Sequence, residues 1–337
     1  MLEKPDLPDE IIIACLRNEY GLRVTQIAFL PIGADLNTAV YRAVAEDGSL
    51  YFVKLRRGAF DEITVTLPKF LSDQGIAQII APLATTRGQL WANQGVDKLM
   101  LYPFVDGRNG YAVDLSAHHW IDLGKALKRI HTMILPQVMM NRISRETYTP
   151  QWRESVKTFL ARPADASDDP VAVETSAFLK TKHNEILDLV ERAERLAQTL
   201  QVRASEFVLC HSDIHAGNIL IDTNDALYIV DWDNPILAPK ERDLMYVGGG
   251  QGFTGHTAQE EETLFYRGYG QTQIDPFALA YYRYERIIED IAVECAQIFS
   301  TNDGGADREQ ALRWLTSNFE PNNAIEIACQ SDMTIVV

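Results

Sequence analysis

The sequence predicts an α+β protein: an N-terminal antiparallel β-sheet with a helix, followed by a larger, mainly helical part. Three observations carry this. Apolar runs at residues 24–30, 38–44 and 50–55 are joined by short links, which favours antiparallel pairing. From Ser116 onward the apolar residues take helical spacing. Two short β-type runs, 207–210 and 227–230, then each end in a dense polar cluster. These clusters are His211-Ser212-Asp213-Ile214-His215-Ala216-Gly217-Asn218 and Asp231-Trp232-Asp233.

A chain of 337 residues can bury a large core and form two domains. Its 46% hydrophobic and 23% charged residues are ordinary for a soluble globular protein. The net charge of −16, from 31 basic and 47 acidic residues, argues against nucleic acid, whose phosphates reward clustered Lys and Arg. It suits an enzyme holding a polyphosphate only where metal ions neutralise the site or the other substrate is a cation. Cys15, Cys210, Cys295 and Cys329 lack paired metal spacing and are too sparse for a disulfide scaffold; Cys210 reads as a buried core residue. The first residues, MLEKPDLPDE, lack a basic region followed by a long apolar run, so no signal peptide is expected, and no apolar run approaches the roughly 18 residues a membrane span needs. A cytoplasmic protein without membrane or nucleic-acid partners is expected.

Taken in order, Pro8-Asp9-Glu10 opens a helix with acids in its first turn, and Gly21 stops it. The first strand, 24–30, breaks at Pro31-Ile32-Gly33-Ala34-Asp35-Leu36-Asn37; the second, 38–44, turns at Asp47-Gly48 into the third, which carries Lys54 near its end. Gly33 would let the backbone approach a phosphate, with Asn37 in the same loop, while Lys54 reaches that anion as a point charge. A turn glycine and a solvent-facing lysine are the plain alternatives. The loop has one glycine, no GxxxxGK[ST] occurs and no Gly-rich turn enters a helix, which disfavours a P-loop or dinucleotide fold.

Asp61-Glu62 precede the helix-like ITVTLPKFLSDQG, weakened by β-branched residues and Pro68. Glu62 is the expected partner of Lys54, or an acid placed there by the helix dipole. Residues 81–85 and 88–91 read as strands around a turn, and 98–104 as another strand ended by Pro103. That strand is the expected connector: a first domain of 1–102, a hinge near 99–105, and a second domain of 106–337.

Beyond the connector, HHWIDLGKALKRIHTM sets Trp120, Leu123, Leu127, Ile130 and Ile134 on one helical face, with His118, His119 and His131 as surface or packing residues. A helix follows Pro150, residues 161–170 form a loop, and 172–200 read as one long helix with an apolar stripe at Phe178, Ile186, Leu189 and Leu196 and an exposed His183. The segment Gly248 to Gly252 reads as a turn or a substrate-side lid. Helical periods return at 260–269, 276–295 and 308–319. Within the second, Tyr281, Tyr282, Arg283, Tyr284, Glu285, Arg286, Glu289 and Asp290 make a polar, aromatic face. It is either a surface laced with i,i+4 pairs or a wall for a cationic ligand.

The two polar clusters carry the chemistry. Phosphoryl transfer from a nucleotide needs a group that orients the acceptor hydroxyl and takes its proton, hard oxygen ligands for Mg2+, and a cation for the donor phosphates. Asp213 suits the first, Asn218 and Asp231 the second, and Lys54 the third, with Asp233 a helper at the metal or a loop cap. A metal hydrolase built on His211, Asp213, His215 and Asp231 competes, but leaves Asn218, Lys54 and the N-terminal strands without a role. A glycosidase-like pair of Asp213 and Asp231 and a non-catalytic nucleotide-binding protein remain as further readings.

The same stretch resembles a known family. HSDIHAGN followed by IVDWD is similar to the motifs of the aminoglycoside phosphotransferases, whose architecture resembles that of protein kinases with their H-R-D-x-x-x-x-N and D-F-G. Ser212 stands where the family usually has glycine. The resemblance runs over roughly the whole chain. LPIGADLNTAVYRA, YFVKLRRG, Gln151-Trp152-Arg153-Glu154, DWDNPILAPKERDLM and YYRYERIIEDIAV look like the branch that inactivates spectinomycin by phosphorylating its 9-hydroxyl.

The resemblance implies a bilobal protein-kinase-like fold with ATP and Mg2+ as cofactors. It implies Asp213 as base, Asn218 and Asp231 on Mg2+, and Lys54 on the nucleotide phosphates, steadied by Glu62. Gly33 and Asn37 would also be nucleotide-binding, and Leu99, Met100, Leu101 and Tyr102 would be the adenine-contacting hinge. His211 and His215 become supports of the loop, and Arg242 with Asp243 a structural segment below it. The acceptor would be a small cation, an aminocyclitol or aminoglycoside, met by Asp213, Tyr281, Glu285, Glu289 and Asp290. The same fold serves homoserine, choline and sugars, so a small-metabolite kinase is the alternative.

Overall fold

A computed structural model of the chain describes residues 2–33, 35–162, 169–249, 252–300, 305–320 and 324–333. Helix α1 (Asp9–Tyr20) carries Asp9 and Glu10 in its first turn and ends at Gly21, whose φ of 68° gives the left-handed cap that only glycine adopts without strain. Strands β1 (Val24–Leu30), β2 (Thr38–Ala45) and β3 (Leu50–Arg56) follow, then α2 (Ile63–Asp73), β4 (Ala92–Gln94), β5 (Asp97–Pro103) and β6 (Gly107–Asn109). Helices α3 (Ala117–His131) and α4 (Gln137–Met140), the short β7 (Ser144–Arg145), and helices α5 (Gln151–Leu160), α6 (Pro170–Thr181) and α7 (His183–Gln201) come next. Then β8 (Val208–Cys210), β9 (Ile219–Asp222), β10 (Leu227–Ile229), β11 (Ile236–Ala238) and α8 (Glu241–Leu244) span the polar clusters. Helices α9 (Ala258–Tyr269), α10 (Pro276–Ser300), α11 (Gly305–Ser317) and α12 (Ala324–Met333) complete the order.

Two compact units result, and neither is a contiguous block. The first comprises Met1–Val113, Ile134–Ile143 and Ala216–Pro235; the second comprises Asp114–Met133, Ser144–His215 and Ile236–Val337. The expected division was a single cut, 1–102 against 106–337. Hairpin β9–β10 joins the first unit because β9 pairs antiparallel with β6, making a small sheet of order β10-β9-β6.

The first unit is built on a five-stranded antiparallel sheet of order β1-β2-β3-β5-β4. Alternate residues of β2, β3 and β5 point to one face, so Tyr41, Val53, Leu55, Leu99 and Leu101 bury against Ile12 and Leu16 of α1. Lys54 lies opposite Val40 on one side and Met100 on the other, on the face that this core does not use. Helix α2 tolerates Pro68 in its interior because Ile63, Val65, Leu67 and Leu71 bury around it, and packing outweighs the lost backbone bond. Residues 81–91 are not the expected pair of strands. They make isolated bonds, Leu83 N–H to Leu101 O and Thr85 N–H to Gln89 O, and Pro82 offers no ladder donor.

The second unit is organised by α10, 25 residues long, with α5, α7, α11 and α12 packed along it. Helices α3 and α9 approach closely because both carry glycine at the crossing. A Cβ on Gly124 would meet the Phe265 carbonyl at 2.2 Å, and one on Gly268 the Ile121 carbonyl at 1.9 Å. In a three-stranded sheet β11 runs antiparallel to β8 and parallel to β7. The single helix expected over 172–200 is two, α6 and α7, parting at Lys182. Thr181 Oγ1 bonds the Ala177 carbonyl, a local competitor that bends helices. His183, at the start of α7, is half-buried rather than exposed. Among the described residues no helix is long and apolar enough to cross a membrane.

Candidate active site

In the first unit the site grows from the β9–β10 hairpin. Its register sets Ile219 opposite Ile229, and the ladder continues one step as Val230 N–H donates to Asn218 O at 3.0 Å. That step brings Asn218 and Asp231 to the same end of the hairpin. There the chain turns sharply: Asp231 has φ 66°, a left-handed conformation an aspartate tolerates, and Trp232 Nε1 bonds Ile229 O at 3.2 Å beneath it.

Lys54 crosses to this end from β3. Its Nζ lies 2.9 Å from Asp231 Oδ1 and 2.6 Å from Asp233 Oδ1. Burial opposes the lysine charge, but the two carboxylates outweigh it and raise the Lys54 pKa above its ordinary value. Burial raises the Asp233 pKa, against the pull of Lys54, with Asp231 adding to the rise. Asp231 is 49% exposed. Two carboxylates and the amide of buried Asn218 are all hard oxygen donors, the set that Mg2+ takes. The residues therefore fit that ion.

Glu62 does not pair with Lys54. It sits at the N-terminal edge of α2 and bonds Arg142 Nη1 at 2.8 Å, because α4 and the residues after it belong to the same unit. Gly33 has φ 87°, and the loop it opens is tied to β3 by the Asp35–Arg56 ion pair and by Arg57 N–H bonding Asn37 O at 2.8 Å. Leu99, Met100 and Leu101 are core residues of β5, and Tyr102 is half-buried.

In the second unit the loop after β8 is held from below by Asp243. That carboxylate is fully buried; Oδ2 accepts His211 N–H at 3.0 Å and Oδ1 accepts Ser212 N–H at 2.7 Å. His131 Nε2 lies 3.0 Å from Asp243 Oδ2, and its Nδ1 lies 2.8 Å from the Tyr269 hydroxyl. His131 is thus a buried part of the loop's support. Ser212 has φ 74°, which costs a non-glycine residue about 1–3 kcal/mol. Tyr246 helps hold it by donating to Ser212 O at 2.9 Å.

Asp213 follows. Arg286 Nη1 donates to its Oδ1 at 2.5 Å, the Tyr246 hydroxyl stands 3.3 Å away, and His215 Nε2 lies 3.6 Å from Oδ2. Its own N–H donates to His211 Nδ1 at 3.2 Å. Burial pushes the Asp213 pKa upward, but Arg286, His215 and His211 together hold it well below the ordinary carboxylate value. The group is an ionised acceptor, firmly oriented. His211 and His215 serve that loop. Among the described residues they do not gather three metal-binding atoms with Asp213, which removes the geometric basis for the hydrolase reading.

Residues 28–282 match the Phosphotransferase enzyme family. The chain belongs to that family. It is also similar to a spectinomycin phosphotransferase, APH(9)-Ia, solved in complex with ADP and spectinomycin. Identity is 38%, 98% of this chain and 99% of that chain are covered, and the TM-score is 0.90. An AMP-bound complex of the same enzyme aligns at 36% identity over 95% and 98% of the two chains, with a TM-score of 0.85. An amicoumacin kinase in complex with AMP-PNP and Ca2+ shares the fold, at 19% identity over 96% and 94%, TM-score 0.59. No curated protein matches. The fold is thus protein-kinase-like and the protein a phosphotransferase.

In this phosphotransferase two residues expected on the acceptor side lie within the helix packing. Tyr281 and Glu285 are buried: Glu285 is 2.8 Å from Arg153 Nη1, and Tyr281 packs edge-on to Tyr148 with Arg153 over its ring. They tie α10 to α5, because a helix packed on several sides has little free face. Burial pushes the Glu285 pKa up to about 7, against the pull of Arg153. Glu289 and Asp290 are half-buried and paired, with Arg242 at 3.4 Å and Arg286 at 3.0 Å. Tyr246 was not singled out from the sequence, and Arg286 was named only within the polar face of its helix, without a role at Asp213. The i,i+4 spacing of Arg286 and Asp290 was the available signal, whereas contact with Asp213, 73 residues away, has none. Of the expected lid, Gly250 and Gln251 lie outside the described residues; Gly248 N–H bonds Glu261 at 3.0 Å.

Proposed function

We propose that this phosphotransferase moves the γ-phosphate of ATP, with Mg2+, to a hydroxyl of a small cationic acceptor, and that the acceptor is spectinomycin at its 9-hydroxyl. The observation that carries this is the ionised Asp213, fixed by Arg286 and Tyr246. The identity of 38% over 98% of the chain to an enzyme solved with ADP and spectinomycin supports the choice of acceptor. The net charge of −16 favours a cation.

In this reading Lys54 exchanges Asp231 and Asp233 for the donor phosphates, with Gly33 and Asn37 beside them and residues 99–102 on the adenine side. Asn218 and Asp231, joined by Asp233, hold Mg2+, which when bound neutralises phosphate charge. Asp213 accepts the hydrogen bond of the acceptor hydroxyl and aims its oxygen at the γ-phosphorus. As the new O–P bond forms, the bond to the β-phosphate oxygen breaks, ADP leaves, and the hydroxyl proton passes to Asp213 and then to water. With its pKa depressed, Asp213 is a weak base, so orientation is its larger contribution.

The test is ATP consumption with spectinomycin, other aminoglycosides, choline and homoserine, with the product located by NMR. Phosphorylation of spectinomycin at the 9-hydroxyl is expected. Brisk use of a metabolite beside no turnover of spectinomycin would overturn the acceptor.

A further inference from the structure

Arg283 lies on α10 and is 9% exposed, yet among the described residues no carboxylate reaches it as an ion-pair partner. Its Nε donates to Met245 O at 3.3 Å, Nη1 to Ser331 Oγ at 2.5 Å and Nη2 to Val247 O at 3.2 Å. These are neutral acceptors, and one N–H on each terminal nitrogen is left over. An arginine keeps its proton in a protein, so a buried full charge stands without a counter-ion in contact. Burial lowers the Arg283 pKa, and Glu262 opposes that from beyond contact distance.

The guanidinium opens on a cavity of about 290 Å³, lined also by Gly248, Glu262, Leu279, Ile327 and Ser331, all in the second unit. Glu262, on α9, is exposed, and a Cβ on Gly248 would stand 3.0 Å from its Oε1. A cation and an anion therefore face one cavity without touching, and Leu279 and Ile327 give it an apolar wall. The cavity is separate from the cluster around Asp213, since Arg286, Tyr246, His211 and His215 do not line it. Tyr246 sits between the two carbonyls that Arg283 holds and sends its hydroxyl to Ser212 O.

We propose that this cavity binds a compact apolar α-amino acid, with its carboxylate on Arg283 and its ammonium group towards Glu262. A carboxylate matches the fork of a guanidinium and supplies the missing counter-ion. A bare carboxylate would be repelled by Glu262, and a bare amine by Arg283; a zwitterion satisfies both. The buried contact carries most of the affinity, because water screens the exposed Glu262.

Calorimetry of the full chain tests this with three matched probes: valine, isovalerate, which lacks the ammonium group, and isobutylamine, which lacks the carboxylate. Valine is expected to bind and to raise the melting temperature. Isovalerate should bind about threefold more weakly, and isobutylamine about tenfold or more. Arg283→Met should abolish valine binding. Should that variant not fold, Glu262→Gln, changed at an exposed position, should bring valine down to the level of isovalerate. Asp213→Asn should bind valine as the wild type does. No binding of valine by the wild type, or binding of either other probe as tightly, would overturn the proposal. So would an unchanged valine affinity in Glu262→Gln. Loss of valine binding in Asp213→Asn would place the ligand at the catalytic loop and overturn it as well. None of these readouts needs phosphate transfer, so failure of the proposed reaction leaves the site standing.

Discussion

Arg286 Nη1 lies 2.5 Å from Asp213 Oδ1, and the same guanidinium reaches Asp290 at 3.0 Å. The Asp213 pKa is held well below the ordinary carboxylate value because of it, with His215 and His211 assisting against the effect of burial. In Arg286→Met the largest charge opposing burial is gone and only His215 and His211 still oppose it, so the pKa rises. Protonated Asp213 then accumulates at acid pH, and kcat/KM should fall about tenfold more at pH 5.5 than at pH 8 relative to wild type. Arg286→Lys should restore part of the profile. A pH–rate series reads the result, and an acid limb that does not move would remove Arg286 from this role.

Asp213→Asn keeps the size of the side chain and removes its negative charge. Turnover should fall by about 10²–10⁴-fold, the range for a lost acid–base group. ATP affinity should stay close to wild type, because the nucleotide is assigned to Lys54, Asn218 and Asp231. Steady-state kinetics with nucleotide calorimetry separates the two effects.

Asp231→Asn removes a negative charge and one of the two carboxylate oxygens, and takes away one of the two carboxylates on Lys54. The gain in ATP affinity on adding Mg2+ should largely disappear, while metal-free nucleotide binding persists. Calorimetry with and without the metal checks this. A full Mg2+ effect in the variant would exclude Asp231 as a ligand.

Asp243→Ala strands two backbone donors, His211 N–H and Ser212 N–H, and removes the carboxylate beside His131 Nε2. Losing a fully buried acceptor of this kind costs about 3 kcal/mol or more. Urea unfolding should show it as a lower midpoint.

Glu294 is protonated in the folded chain up to about pH 8, but an unfolded chain loses that proton near the ordinary value of 4.5. Between those values the folded state binds more protons, so stability declines as pH rises through the window. Glu294→Gln carries no such penalty. Its melting temperature should exceed that of wild type by about 2–4 °C at pH 8.5, with the difference gone near pH 4.5. An identical pH dependence in both proteins would count against the buried neutral acid.

Much of this was legible along the chain. The Asp47-Gly48 turn and the apolar runs at 38–44 and 50–55 predict the N-terminal sheet, because strand runs and turn chemistry are local. Asn218 and Asp231 are close in sequence and joined by one hairpin, so their common end follows from its register. Pairings of distant residues were less accessible. Glu62 was expected on Lys54, yet Arg142 takes it and Lys54 goes to Asp231 and Asp233. Tyr281 and Glu285 looked like a ligand wall, because a polar helix face reads as exposed until its neighbours are known.

The sequence by itself determined the α+β class, the family and the residues able to do phosphoryl-transfer chemistry, since these rest on residue type and short spacing. Only the tertiary structure decided the partners: Arg286 on Asp213, Asp243 under the loop and Arg153 on Glu285. The physical reason is that charge state and orientation depend on burial and on groups far away in the chain. Those are set when helices such as α5, α8 and α10 pack together, and no local pattern records which faces will meet.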